Sequence, residues 1–197
     1  MKTLIIALKI FLFFTILTGI IYPLLVSGIA QAVFPEKANG SIIHRDGMAI
    51  GSELIGQQFD STNYFTGRPS AISYNLLPSG GSNFGLTNAK LKQQVDERRK
   101  QFISFNQLDS LTEIPSEMLF ASASGLDPHI SPKAALLQVD RIAKARNLNL
   151  NQKEKLTAYI HSQSDQPKFG LFGQSRINVL ILNLDLDQLS PNNSAIK

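Results

Sequence analysis

Ser122, Asp127 and His129 fall within eight residues of one another, in Ser122-Ala123-Ser124-Gly125-Leu126-Asp127-Pro128-His129. These are the side-chain types of acyl-transfer chemistry, in which a serine attacks, a histidine takes its proton and a carboxylate orients the ring. Folds build such triads from distant positions, however, and the G-x-S-x-G nucleophile turn is missing. The small residues read more simply as a tight turn whose Asp127 and His129 hydrogen-bond backbone groups. A membrane-anchored periplasmic hydrolase using His129 and a nearby serine stands as the alternative.

Other stretches invite chemistry in the same way. Ser79-Gly80-Gly81-Ser82-Asn83-Phe84-Gly85 has the glycines to cradle an anion, but a phosphate loop needs a following Lys-Ser/Thr or the right glycine spacing. It reads as a structural loop. His44, His129 and His161 have no spacing that would bring two onto one metal, and without cysteine there are no thiolate sites, thiol nucleophiles or disulfides. Thr66-Gly67-Arg68-Pro69-Ser70 sets a cation on a turn, where it would pair with a partner's carboxylate or serve a surface or intramolecular role.

The elements that must position these residues begin with an anchor. From Ile10 to Ile29 the chain carries no charge and is mostly Ile, Leu, Phe and Val. Twenty helical residues span about 30 Å, the thickness of a bilayer's hydrocarbon core. At about 0.3 kcal/mol or more per large apolar residue, insertion is favoured by something on the order of 4 kcal/mol. Lys2 and Lys9 precede the helix, and the next basic residues after it are Lys37 and Arg45. This bias puts the N-terminus in the cytoplasm and the rest outside. Ala30-Gln31-Ala32 has the small-x-small form of a signal-peptidase site, so a secreted domain after cleavage is a further alternative. Thr15, Gly19, Pro23 and Ser27 recur at every fourth position, a stripe of small residues that lets neighbouring helices approach closely.

The division expected is 1–33 for cytoplasmic N-terminus and anchor, with the helix at about 10–30, and 34–197 for a soluble periplasmic domain. The net charge of +4 includes the two anchor lysines, and the remaining charges are mixed along the chain. Nucleic-acid binding needs clustered charge, so it is excluded as a partner class. The short run Arg98-Arg99-Lys100 reads as a solvated helix face.

In the outer part, Asp46-Gly47 between two apolar runs predicts a hairpin. Glu53–Phe59 reads as a continuing strand. Asp60–Leu86 reads as a long ordered loop tied down by Tyr64, Phe65, Tyr74 and Phe84. Helices are predicted from an N-cap at Thr87 to about Phe105, from Ser131-Pro132 to about Arg146 with Leu136, Val139 and Ile142 buried, and from Asn151 to about Gln163. Ile177–Leu186, almost continuously apolar, reads as a buried strand. The fold class is α+β: one N-terminal transmembrane helix followed by one mixed α+β extracytoplasmic domain.

Several stretches carry a resemblance. They include Tyr22-Pro23-Leu24, Gly28-Ile29-Ala30-Gln31, Ala38-Asn39-Gly40-Ser41, Leu54-Ile55-Gly56-Gln57, Arg68-Pro69-Ser70-Ala71 and Gly81-Ser82-Asn83. The most specific is the block from Ala121 to Pro132, followed by Arg141-Ile142-Ala143-Lys144-Ala145-Arg146 and Arg176-Ile177-Asn178-Val179-Leu180. Over nearly the whole chain, in order, it resembles the C subunit (KdpC) of the Kdp potassium-transporting P-type ATPase.

The resemblance implies a non-catalytic accessory subunit of a bacterial inner-membrane complex that imports K⁺ at the expense of ATP. Its partners would be a channel-like potassium-binding subunit, an ATP-hydrolysing P-type subunit and membrane lipid. ATP and K⁺ would be handled by the complex; this chain is assigned no cofactor of its own and has no D-K-T-G phosphorylation motif. The family's C subunit is described as a catalytic chaperone that raises the ATPase subunit's nucleotide affinity. The motif residues Arg68, Ser82, Asn83, Asp127 and His129 are the expected functional surface, and Thr15, Gly19, Pro23 and Ser27 the subunit-packing one.

Overall fold

A computed structural model describes residues 1–190. The chain divides into two compact units, Met1–Ile43 and the part from His44 onward.

The first unit is dominated by one unbroken helical run, Lys2–Val33, long and apolar enough to cross a membrane. It comprises α1 (Lys2–Ile16), a π turn (Leu17–Ile21) and α2 (Tyr22–Val33). It starts well before the expected Ile10, because Lys2–Lys9 holds nothing that opposes a helix and both lysines can extend their amines past apolar neighbours. At 1.5 Å per residue the run is about 48 Å long, more than the hydrocarbon thickness.

The π turn sits where Pro23 requires one. Proline has no N–H for the carbonyl four residues back, and its ring crowds that carbonyl. The wider turn relieves the crowding, and the Tyr22 N–H bonds instead to the Leu17 carbonyl. The extra residue also realigns the small-residue stripe. In a straight α-helix, Thr15 and Ser27 would lie about 120° apart around the axis; one inserted residue sets the register back by about 100°. A short helix, α3 (Pro35–Ala38), follows.

Strands β1 (Ile42–Arg45) and β2 (Met48–Ser52) form a hairpin. Its turn residues Asp46 and Gly47 have φ of 51° and 78°, the positive values that the Asp-Gly signal implies. Glu53–Phe59 does not continue as a strand but turns away into irregular structure. Gly56 is the reason: a Cβ there would lie 2.7 Å from the Asp127 carbonyl oxygen, so this stretch packs against another loop instead of a ladder.

α4 (Ala89–Asn106) begins one residue later than expected, with the Asn88 side chain rather than Thr87 accepting the Lys90 N–H. It buries Leu91 and Phe102, with Val95 only half-buried. The basic run on it is not simply solvated. Arg98 donates to the Leu119 carbonyl, and Arg99 to those of Ser110 and Thr112, pinning the chain that leads through the 3-10 turn Ser116–Met118.

β3 (His129–Ile130) pairs antiparallel with β4 (Ile177–Asn178). Between them lie α5 (Pro132–Leu136), capped as expected by Ser131, then α6 (Val139–Ala145) and α7 (Leu150–Gln163). The expected single helix from Ser131 is thus two. The N-cap of α7 is Asn149, not Asn151, because Gln152 three residues on closes a reciprocal capping box.

The largest departure is the end of the chain: Ile177–Leu186 is not a buried strand. Only its first two residues pair; Asn178 then caps α8 (Val179–Leu189), accepting from Leu180 and Ile181 N–H. α7 packs against α5, α6 and α8. Phe65, Phe102, Met118, Ile130, Ile142, Leu156, Ile160, Leu182 and Leu186 fill the core between them. The architecture is α+β with helices predominating.

Candidate functional site

α6 and α8 spend polar side chains on the long loop, whose backbone has no ladder to join. Asn183 accepts from the Phe65 N–H at 2.8 Å and donates to the Phe65 carbonyl at 3.0 Å. Gln138 accepts from the Thr66 N–H and hydroxyl, and donates to the Thr66 carbonyl. Arg141 donates to the carbonyls of Thr62 and Tyr64 and to the side-chain oxygens of Asn106 and Gln138, with its guanidinium over the Phe105 ring. Burial lowers its pKa to about 10, still well above neutral, so it stays charged. These bonds seat Phe65 in the core. The loop is ordered as expected, with Tyr64 and Phe65 buried and Tyr74 and Phe84 half-buried.

A buried ion pair closes this region. Arg146 meets Asp187 at 2.8 Å, both side chains 1% exposed, and Arg45 reaches the other carboxylate oxygen at 3.4 Å. The Tyr64 hydroxyl donates to Asp187, and burial followed by that carboxylate raises its pKa. Arg146 also donates to the Asn63 and Ser190 carbonyls. The Asp185 carboxylate, conspicuous in the apolar terminal run, accepts from the Tyr159 hydroxyl.

Beside this frame lie the residues singled out by motif. The Arg68 guanidinium donates to Asp127 at 2.7 Å, while the other Asp127 oxygen accepts the His129 N–H at 3.0 Å and lies 3.4 Å from its Nδ1. Arg68 therefore meets a carboxylate of its own chain. Burial alone would raise the Asp127 carboxyl; the bonds from His129 and Arg68 outweigh it and hold the pKa at about 2. Tyr74 donates to the Arg68 carbonyl at 2.6 Å, and burial pushes its hydroxyl up to about 12.

The Ser122–His129 turn is wedged among three loops. Gly56 N–H donates to Leu126, Gly80 N–H to Ser124, and the Ser70 hydroxyl to Gly125. Gly125 must be glycine: its φ is 71°, and a Cβ would sit 2.5 Å from Ile72. Ser82 and Asn83 follow Gly81, which packs against Ala123, but neither joins the hydrogen bonds of Arg68, Asp127 and His129. No serine pairs with His129 among the described residues: Ser124 Oγ accepts the Leu126 N–H and Ser131 Oγ the Ala134 N–H. The bonds this turn does make hold three loops together.

The ion-paired cluster helps line a cleft of about 830 Å³, which the segment Asp165–Arg176 also lines, with Lys168 and Phe172. Arg141, Arg146, Asn183 and Asp187 had not been singled out beforehand as a group. Their partners lie tens of residues away, where sequence spacing carries no signal.

A membrane-length apolar helix joined to an α+β domain whose long loop is pinned by buried polar side chains fits a membrane protein with a single anchor. The family described as "K+-transporting ATPase, c chain" matches residues 4–188, and the chain belongs to this KdpC family of membrane-associated potassium-transport ATPase subunits. Relatives described as "Potassium-transporting ATPase KdpC subunit" include one from Geobacter metallireducens, 47% identical over 94% of this chain and 97% of its own. Another, from Burkholderia ambifaria, is 48% identical over 95% and 97%. One from Caldanaerobacter subterraneus subsp. tengcongensis is 44% identical over 91% of each.

Proposed function

We propose that this chain is a non-catalytic accessory subunit of a high-affinity, ATP-driven potassium import complex in the bacterial inner membrane. Its partners are the channel-like subunit that carries K⁺ and the P-type subunit that hydrolyses ATP. The observation that carries the reading is the family match, which takes in both the apolar helix and the domain (residues 4–188). In line with it, Arg141, Arg146, Asn183 and Asp187, on or beside α6 and α8, hydrogen-bond loop backbone or one another.

In this reading the N-terminus is cytoplasmic, placed there by Lys2 and Lys9, and the domain is extracytoplasmic. The helix packs against neighbouring helices through Thr15, Gly19, Pro23 and Ser27, with nothing within 4 Å of an added Gly19 Cβ in the isolated chain. The domain caps and stabilises the side from which ions enter, through the surface of Arg68, Ser82, Asn83, Asp127 and His129. ATP binds across the membrane from that domain, so a rise in nucleotide affinity must come through different affinities of this subunit for two states of the complex.

Affinity purification from native membranes in mild detergent tests this: both partner subunits are expected to accompany the chain. Gly19→Leu is expected to release it, and unchanged copurification rules out the packing stripe. A reporter fused behind Phe34 that is active only in the cytoplasm overturns the topology.

A further inference from the structure

The segment from Asp165 to Arg176 treats its apolar residues unlike the rest of the domain. Backbone bonds close it into a hairpin: Asp165 and Arg176 exchange N–H and carbonyl at 2.8 and 3.1 Å, Lys168 and Phe172 at 2.8 and 2.9 Å. At its tip Phe169 is 91% exposed, Leu171 81% and Phe172 69%. Nowhere else among the described residues from His44 onward do three such side chains stand exposed within four positions; Leu111 and Leu150 stand singly, as surface apolar residues ordinarily do. Phe169 also has φ of 56°, a left-handed conformation unfavourable for a bulky residue, and no burial compensates it. The tip is thus preorganised and apolar, and strained at its most exposed ring.

What covers it is indicated by its neighbours. Phe172 and Lys168 line the cleft whose other walls hold Arg68–Asp127–His129 and Arg176–Asp165. Asp127 and Asp165 are matched by cations, and the cleft's third acid, Glu117, accepts the Ser131 N–H, whereas the Lys168 amine has no ion-pair partner among the described residues. Hydrocarbon could take the rings but would strip water from the ion pairs without replacing its hydrogen bonds. A protein surface supplies an apolar pocket and polar partners together.

We propose that Phe169, Leu171 and Phe172 form the anchoring hot spot of this chain's contact with another subunit of the same ATPase, which receives the rings in an apolar pocket and meets Lys168 with a carboxylate at the rim. The inference rests on the accessory-subunit reading above. Aromatic anchors seated in a partner's pocket dominate interface energetics, and a prefolded tip loses little freedom on binding.

The test places a benzophenone amino acid at Phe169 in the full-length chain, co-expressed with its partner subunits in native membranes, with Leu111 as the exposed control. Irradiation is expected to join position 169 to one of those subunits, within a few residues of an Asp or Glu, at about tenfold or more the yield from position 111. In parallel, F169D with L171D is expected to lower copurification about tenfold or more without lowering the chain's own melting temperature. Adducts with lipid alone, adducts with a second copy of this chain, or yields no higher than at Leu111 each overturn the inference. If they do so while the unmodified chain still copurifies with the ATPase, the accessory reading survives. If the unmodified chain brings down no ATPase subunit, both fall.

Discussion

Phe65 and Phe169 are the same residue on two loops of the same domain, and they meet opposite fates. Phe65 is fully buried, its backbone held on both sides by Asn183, with Thr66 held next to it by Gln138. Phe169 stands in solvent on a hairpin closed by its own backbone. The difference lies in where each loop's hydrogen bonds go. A loop that satisfies its own backbone needs nothing from the helices and is free to project. A loop that cannot must be met by side chains from the core, and its aromatic rings follow it inward. Buried polar residues are therefore the means by which a long irregular segment becomes part of this hydrophobic core.

If so, the greatest damage should come from breaking the polar frame rather than the tip. Arg146→Met leaves the buried Asp187 carboxylate with only Arg45 and the Tyr64 hydroxyl and frees the Asn63 and Ser190 carbonyls, and should destabilise the detergent-solubilised chain by about 3 kcal/mol in urea unfolding followed by circular dichroism. Removing both charges, Arg146→Met with Asp187→Leu, should recover part of that loss. Phe65→Ala should cost about 3–4 kcal/mol through the cavity it leaves. An equal loss at Phe169→Ala would erase the contrast, since an exposed ring should change stability by no more than about 0.5 kcal/mol.

A smaller effect should appear in acid. The Asp127 pKa of about 2 lies below its ordinary value of 3.8, so its contribution is complete above about pH 4 and is lost as pH falls through 2. Allowing for its partial exposure, that contribution is about 1–2 kcal/mol. Melting temperature measured from pH 5 to 2 should fall less steeply in Asp127→Asn than in the parent chain. Smallest of all, Phe169→Gly should relieve the left-handed backbone and raise stability by up to about 1 kcal/mol. A clear loss there would mean that the ring already has a partner within the domain.

The contrast also marks what could be read in advance. Asp46-Gly47, the Ser131-Pro132 start and the apolar helix are local signals, and each produced its element. Ile177–Leu186 misled because a short apolar run is ambiguous between strand and buried helix. The deciding residues were the polar ones: Asn178 caps α8, while Asn183 and Asp187, four apart, face Phe65 and Arg146. The same holds for the basic residues, whose carbonyl partners could not be foreseen from spacing. Arg68, Asp127 and His129 were legible as motif residues, but their union across 59 positions of chain was not.

The widened turn at Leu17–Ile21 makes length, more than composition, the sensitive variable of the helix. Losing a single apolar residue just beyond the turn in α2, such as Leu24 or Leu25, would leave the helix's hydrophobicity nearly untouched and shorten it by only about 1.5 Å. Yet everything beyond would swing by about a quarter of a circle, carrying Ser27 away from the line it shares with Thr15. A deletion invisible to any hydrophobicity profile would present the far half with the wrong side outward.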